Sequence, residues 1–331
     1  MRNLLTDVPG LKVGHASDAK LASGSTVVIF DEPAVASIDV RGGGPGTRET
    51  ALLDPAQTVQ GIDAITLSGG SAFGLDAASG TQAWLKEQGR GFAVRSARVP
   101  IVPAAILFDL LNGGDKDWGR FPPYRELGYT AAAAADIEFA LGSVGAGAGA
   151  TTVNCKGGVG SASAQTPDGH WVGALAVVNA VGSVIIDKGP WFWAAPFEQN
   201  DEFGGRGLPQ VFPPNALTTR VKGGPNESTT LVVVATDAIL TKAQAKRLAV
   251  MAQSGLARAI FPIHTPLDGD VLFAASTGRR QLADPLGLTG LGSLAAHVVA
   301  RAIARGVFEA TSLPFSGAVP TWREQFSREH N

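Results

Sequence analysis

The strongest constraint on this chain is a set of apolar runs that lack polar alternation. Thr230 to Thr236 reads Thr-Leu-Val-Val-Val-Ala-Thr, apolar at every interior position and rich in β-branching. Such a run is a strand with both faces buried, because a strand with one wet face alternates with period two. Thr26 to Phe30 and Ala64 to Ser68 are similar runs bounded by turn residues, and Val271 to Ala275 reads as another strand. Val172 to Ile186 is one long strand or a hairpin around Asn179 to Gly182. Helices must cover sheets of this kind. Leu75 to Gln88 favours helix and ends at Gly89. Thr241 followed by Gln244 is a capping box, after which Leu248, Met251, Ala252 and Leu256 keep helical spacing and Gly255 fits a helix end. Leu291 to Glu309 is a helix with Leu294, Val298, Ala302 and Ile303 along one side, whereas the Ala-rich Tyr129 to Phe139 defines no face. The expectation is a layered α/β or α+β sandwich whose strand order cannot be read. No repeat, low-complexity segment or composition break divides the 331 residues, so a single domain, 1–331, is expected.

Charged residues make up 17% and the formal net charge is −2, with no basic block or aromatic-interleaved Lys/Arg stripe, which argues against a nucleic-acid partner. Cys155 is the only cysteine, so no intramolecular disulfide forms. Met1 to Asp7 lacks the apolar core of a signal peptide. The stretch Val172 to Ile186 is interrupted by Asn179 and glycines and is too short and too β-branched to span a membrane. A soluble, cytoplasmic protein with no membrane partner is expected. Clustered glycines, 42 in all, mark tight turns and close backbone approaches, and Lys188 to Pro225 reads as a long surface excursion.

The segment Phe261-Pro262-Ile263-His264-Thr265-Pro266-Leu267-Asp268-Gly269-Asp270 lies between a capped helix and a strand, a common place for a functional loop. A threonine hydroxyl becomes a useful nucleophile when a base sits beside it, and a free α-amine on the same residue serves as one. That chemistry at Thr265 requires the chain to break after His264. Asp268 and Asp270 also suit a turn around Gly269. The five histidines show no metal-ligand spacing, so no metal is expected. Ser68-Gly69-Gly70-Ser71-Ala72-Phe73-Gly74 lacks the lysine of a phosphate loop, and Ser71 is not in a nucleophile elbow. It reads as a wall of a substrate pocket, with Ser71 and Phe73 facing substrate, or as a closely packed strand-to-helix turn.

Several segments together resemble the L-aminopeptidase/D-esterase family of self-processing N-terminal-nucleophile hydrolases, which includes β-peptidyl aminopeptidases and nylon-oligomer hydrolases. They are Val8 to His15, Asp39 to Gly43, Leu67 to Asp76, Gly145 to Gly149, Ala176 to Gly182 and His264 to Asp270, in that order and over nearly the whole chain. The threonine with its Asp-Gly-Asp context is most similar to the nylon-oligomer branch, many aminopeptidase members having serine there. The resemblance implies a four-layer α/β/β/α sandwich, an α+β fold. It also implies autocleavage between His264 and Thr265 into Met1–His264 and Thr265–Asn331, with Thr265 the nucleophile. Lys156 matches a lysine that lowers the amine's pKa or stabilises developing negative charge, the plainer alternative being a solvated lysine in a Gly-rich loop. Asn179 matches an oxyanion-hole asparagine, or is a turn residue. Where relatives carry polar or acidic residues near the amine, this chain has Ala295 and His297. His297 orients the amine or accepts its proton, or is a structural helix histidine, and Asp284 is its rival. The implied substrates are short peptides, amino-acid amides or esters, or nylon-type oligoamides, with no cofactor and a homo-oligomer of αβ units. An uncleaved small-molecule binding protein on the same fold is the alternative.

Overall fold

The computed structural model describes residues 1–222, 228–282 and 285–327. Its strands are β1 (Leu11–Asp18), β2 (Ser23–Val40), β3 (Gly46–Arg48), β4 (Ile62–Ser68), β5 (Phe92–Val94), β6 (Ala97–Val99), β7 (Ala104–Ile106), β8 (Gly158–Gln165), β9 (Trp171–Asn179), β10 (Thr229–Ala238) and β11 (Val271–Arg280). Its helices are α1 (Ala77–Glu87), α2 (Tyr124–Ala133), α3 (Lys242–Ala252), α4 (Ser254–Ala257), α5 (Pro285–Phe308) and α6 (Trp322–Phe326). Two sheets share β2. Its first half pairs with β1 and β4, and its second half with β11. The register against β4 slips between Ile29 and Ala34, and the exposed Asp31-Glu32-Pro33 lie at that slip. A strand that passes from one sheet to another turns at such an irregularity. The first sheet runs β3-β7-β4-β2-β1, and the second runs β2-β11-β10-β9-β8, with β10 and β11 parallel and their outer neighbours antiparallel.

The non-alternating runs are explained by four layers. Leu175 and Val177, Leu231 and Val233, Val271 and Phe273 point between the sheets, where they meet Val28, Phe30, Ile65 and Leu67 of the first sheet. Their neighbours Ala176, Val178, Val232, Val234 and Leu272 face outward onto Leu248, Leu256, Val298 and Ile303 of the helical layer made by α3, α4 and α5. On the far side Val27, Ile29 and Ala64 pack against Ala78 and Leu85 of α1 and Ala131 and Ala132 of α2. The result is the expected α/β/β/α sandwich. Each buried Val, Leu or Ile contributes roughly 1.5–3 kcal/mol relative to exposure, which is why both strand faces remain apolar.

Three local readings change. Val172 to Ile186 is neither one strand nor a hairpin: β9 stops at Asn179, and the chain beyond makes only isolated bridges, Ser183 with Phe261 and Ile185 with Phe192. Lys188 to Pro225 is not wholly a surface excursion, because Phe192, Ala194 and Phe203 enter the core beside Trp322. Gly255 lies inside α4 rather than at a helix end, and a Cβ there would meet the Ala296 carbonyl oxygen at 2.4 Å. It is needed for close approach to α5. The capping box at Thr241 and Gln244 forms as read.

Candidate active site

Strand direction gathers the site. The antiparallel neighbours of the β10–β11 pair bring four strand ends to one edge of the second sheet. These are the end of β2 at Arg41 to Gly44, the start of β11 after Thr265 to Asp270, the end of β9 at Asn179, and the start of β8 after Lys156. Ser228, just before β10, bridges to Asp268.

The loop before β11 is held by its own carboxylates and by the glycine loop after β2. The Thr265 N–H donates to Asp268 Oδ2 at 2.9 Å, and the Val181 N–H donates to Asp268 Oδ1 at 3.2 Å. Asp270 Oδ2 accepts from the His264 N–H at 3.2 Å and pairs with His264 Nδ1 at 3.0 Å, while its Oδ1 accepts from the Thr230 N–H at 2.8 Å. Both carboxylates are fully buried. Burial, and then the charge of Asp270, push the Asp268 carboxyl above the usual carboxylate range against the pull of its donors. His264 adopts a left-handed φ of 56°, which costs a non-glycine residue roughly 1–2 kcal/mol. The Gly43 N–H donates to the Thr265 carbonyl oxygen at 3.2 Å, and that of Gly44 to Asp268 O at 2.8 Å. A Cβ on Gly42 would lie 2.3 Å from Asp270 N, and one on Gly43 2.6 Å from Pro266 O. Gly42 and Gly43 therefore let two backbones meet.

Asn179 is fully buried. Its Oδ1 accepts from the Thr151 N–H at 3.0 Å and from Lys222 Nζ at 3.1 Å, and its Nδ2 donates to Phe108 O at 3.0 Å. Asn179, Thr151, Lys222, Phe108 and Asp109 line a cavity of about 270 Å³. Leu111, Leu313, Phe315 and Val319 form its apolar wall. Lys156 is fully buried, and its ammonium donates to the Gly147 and Gly157 carbonyls at 3.0 and 2.7 Å. Burial pulls its pKa down to about 7, Asp109 opposing this and Lys222 adding to it. The solvated-lysine alternative is thereby removed. Asp109 accepts from Ser23 Oγ at 2.6 Å and from the Gly70 N–H at 2.8 Å, and burial pushes its carboxyl up.

Ser71 and Phe73 do not line this cavity. Ser71 donates its N–H to Leu107 O, and Phe73 is half-exposed against Trp118. Their loop reaches the cavity indirectly, through Gly70 and Asp109. Ala295 is buried in the core, and His297 stacks on Phe197 at 4.9 Å. Among the described residues, no hydrogen bond or ion pair joins His297 to the His264–Asp270 segment. Burial and then Arg258 lower the His297 pKa. Asp284 lies outside the described residues. The sequence reading missed Lys222 and Asp109, and it used Asp268 and Asp270 as context for Thr265, or as turn formers, without giving either a contact. Asp268 had a local signal, an acid three residues after Thr265. Lys222, far from Asn179 in sequence, had none.

The signature of peptidase family S58 matches residues 3–319. An uncharacterized aminopeptidase of Mycobacterium tuberculosis is 44% identical over 346 aligned positions, covering 98% of both chains. A 6-aminohexanoate-oligomer endohydrolase of Paenarthrobacter ureafaciens is 27% identical, covering 88% of this chain and 82% of the relative. Among solved structures, a Burkholderia sp. beta-aminopeptidase superposes with a TM-score of 0.70 at 22% identity, covering 98% of this chain and 92% of that one. The L-aminopeptidase D-Ala-esterase/amidase of Ochrobactrum anthropi, described as a new variant among the Ntn hydrolase fold, superposes with a TM-score of 0.71 at 20% identity, covering 99% and 95%.

Proposed function

The chain belongs to peptidase family S58, and from that premise we propose that it is a self-processing amide hydrolase whose nucleophile is the threonine freed by cleavage after His264. The observation that carries this reading is the placement of Thr265. It is half-buried at the sheet edge that also carries the end of β9 at Asn179, with its nitrogen held by a buried carboxylate, although neither Thr265 nor Lys156 lines the cavity beside Asn179. Once that nitrogen is an amine, it takes the proton of the Thr265 hydroxyl. Oγ then attacks the substrate carbonyl, and the oxyanion is stabilised by the Asn179 amide, with Lys156 adding positive potential. The proton passes to the leaving amine as the C–N bond breaks, and water releases the acyl group from Oγ. His297 stacks on Phe197 and takes no direct part in these steps.

The cavity beside Asn179 suits a short, largely apolar acyl or aminoacyl chain. Short peptides, amino-acid amides and linear oligoamides are the proposed substrates, and the active form is proposed to be a soluble homo-oligomer of αβ units. Denaturing electrophoresis with intact mass spectrometry tests the reading. The expected result is two fragments, one beginning at Thr265, and a single inactive, folded chain for Thr265→Ala. Active protein that contains only full-length chain would overturn it, and an uncleaved, inactive wild type would favour a binding protein.

A further inference from the structure

The peptide between His264 and Thr265 is held from both sides by carboxylates two residues apart in sequence. Asp270 grips the residue before the bond through both its N–H and its imidazole, and Asp268 grips the residue after it through the N–H. The Gly43 N–H anchors the Thr265 carbonyl. The Thr265 hydroxyl oxygen accepts from the Leu267 N–H at 3.3 Å, and the hydroxyl is among the groups that pull the Asp268 carboxyl pKa down. This matters because the uncut chain has no α-amine at Thr265. The group proposed as base for turnover does not yet exist when the chain must cut itself, so maturation needs another base.

We propose that Asp268 is the base of self-cleavage and that Asp270 is a positioning residue that holds His264 against it. The inference rests on the proposed function and deepens it. In the first step the Thr265 hydroxyl proton passes to Asp268 as Oγ bonds to the His264 carbonyl carbon. The His264–Thr265 C–N bond then breaks, Asp268 returns the proton to the departing nitrogen, and an ester to Oγ remains. Water adds to that ester carbonyl and the Thr265 amine takes its proton. The C–Oγ bond breaks and Oγ is protonated, leaving His264 as a carboxylate and Thr265 with a free hydroxyl and an ammonium, whose proton passes to water to give the free amine.

The division of labour follows from the donors. Two buried carboxylates this close do not hold charge equally well. Asp270 has the His264 ring and two backbone N–H groups to hold its charge, and Asp268 has backbone N–H groups from Thr265 and Val181. Asp268 is the carboxylate that holds Thr265 itself, whereas Asp270 is taken up by His264 and Thr230, so Asp268 is the acceptor in reach; burial also pushes its carboxyl up. The left-handed backbone of His264, maintained by the Asp270 grip, is part of the same arrangement.

The test is a time course of cleavage by intact mass, starting from freshly synthesised full-length protein. Asp268→Asn is expected to slow cleavage by about 10²-fold or more, with partial rescue in Asp268→Glu. His264→Ala removes the ring contact at a half-buried position and leaves the backbone grip. It is expected to fold and to slow cleavage about tenfold. If Asp268→Asn fails to fold, the His264→Ala time course and the Asp268→Glu variant decide the matter. Variants that cleave as fast as a cleaving wild type overturn this inference alone. A wild type that never cleaves overturns the parent reading, and this one with it.

Discussion

At the scale of single residues, the orientation of Asn179 is fixed by its neighbours. The Thr151 N–H and Lys222 Nζ both donate to one end of the amide, so that end is the oxygen and the nitrogen faces Phe108 O at the cavity wall. Asn179→Ala is expected to lower kcat roughly 10²–10³-fold with a smaller change in KM, measured on processed protein. Lys222 acts through Asn179 in this arrangement. Lys222→Met should therefore lower kcat in the wild-type background and have little further effect beside Asn179→Ala, as a double-mutant cycle would report. His297 calls for a different readout. Burial and then Arg258 lower the pKa of its imidazole. His297→Asp would place a carboxylate there and raise the proton affinity of the Thr265 amine, moving the ascending limb of kcat/KM to higher pH. An unmoved limb would leave His297 as a stacking partner of Phe197. Thr265 and Asn179 could be named as candidates from sequence because local motifs carry the resemblance, and both lie at the same edge of the second sheet. Lys222 and Asp109 were not, because their partners lie far away in the chain.

At the scale of elements, the strands were legible wherever burial on both faces suppressed alternation, as in β10 and β11. The extent of β2 was not. Asp31-Glu32-Pro33 reads as a stop, yet the strand continues to Val40, because those residues sit exposed at the passage between two sheets. Strand order was also hidden, since apolar runs of equal quality give no clue to their neighbours. The glycines of Arg41 to Gly46 belong to the clusters that the sequence marks as turns and close approaches, but what they approach appears only against the segment before β11. Gly42→Ala would press a methyl onto Asp270 N and the Asp268 carbonyl. The expected result is a folded chain destabilised by about 1–3 kcal/mol, with slowed or abolished cleavage. Thermal unfolding and intact mass report these separately.

At the scale of the whole molecule, acid below neutral pH acts on stability through His15. Its imidazole is buried beside Phe139, and burial pulls its pKa from 6.5 to about 4. The unfolded chain then binds the proton first. Stability present above pH 6.5 is lost as pH falls towards 4, by on the order of 3 kcal/mol at most. His15→Gln should flatten that part of the stability-against-pH curve in denaturant titrations.

The position of β11 has one more consequence. It lies between β2 and β10, yet it follows the proposed cut, so the central strand of the second sheet and the core helix α5 would belong to a separate chain. Native chromatography should keep both pieces together, because releasing β11 means opening two ladders and the core between the sheets. Before the cut, folding joins parts of one chain and is independent of concentration. Afterwards the same sandwich is a two-body complex, whose reassembly from denaturant slows on dilution. The mature protein would then owe its persistence to a memory of having folded once as a single chain, and its lifetime to how slowly it opens.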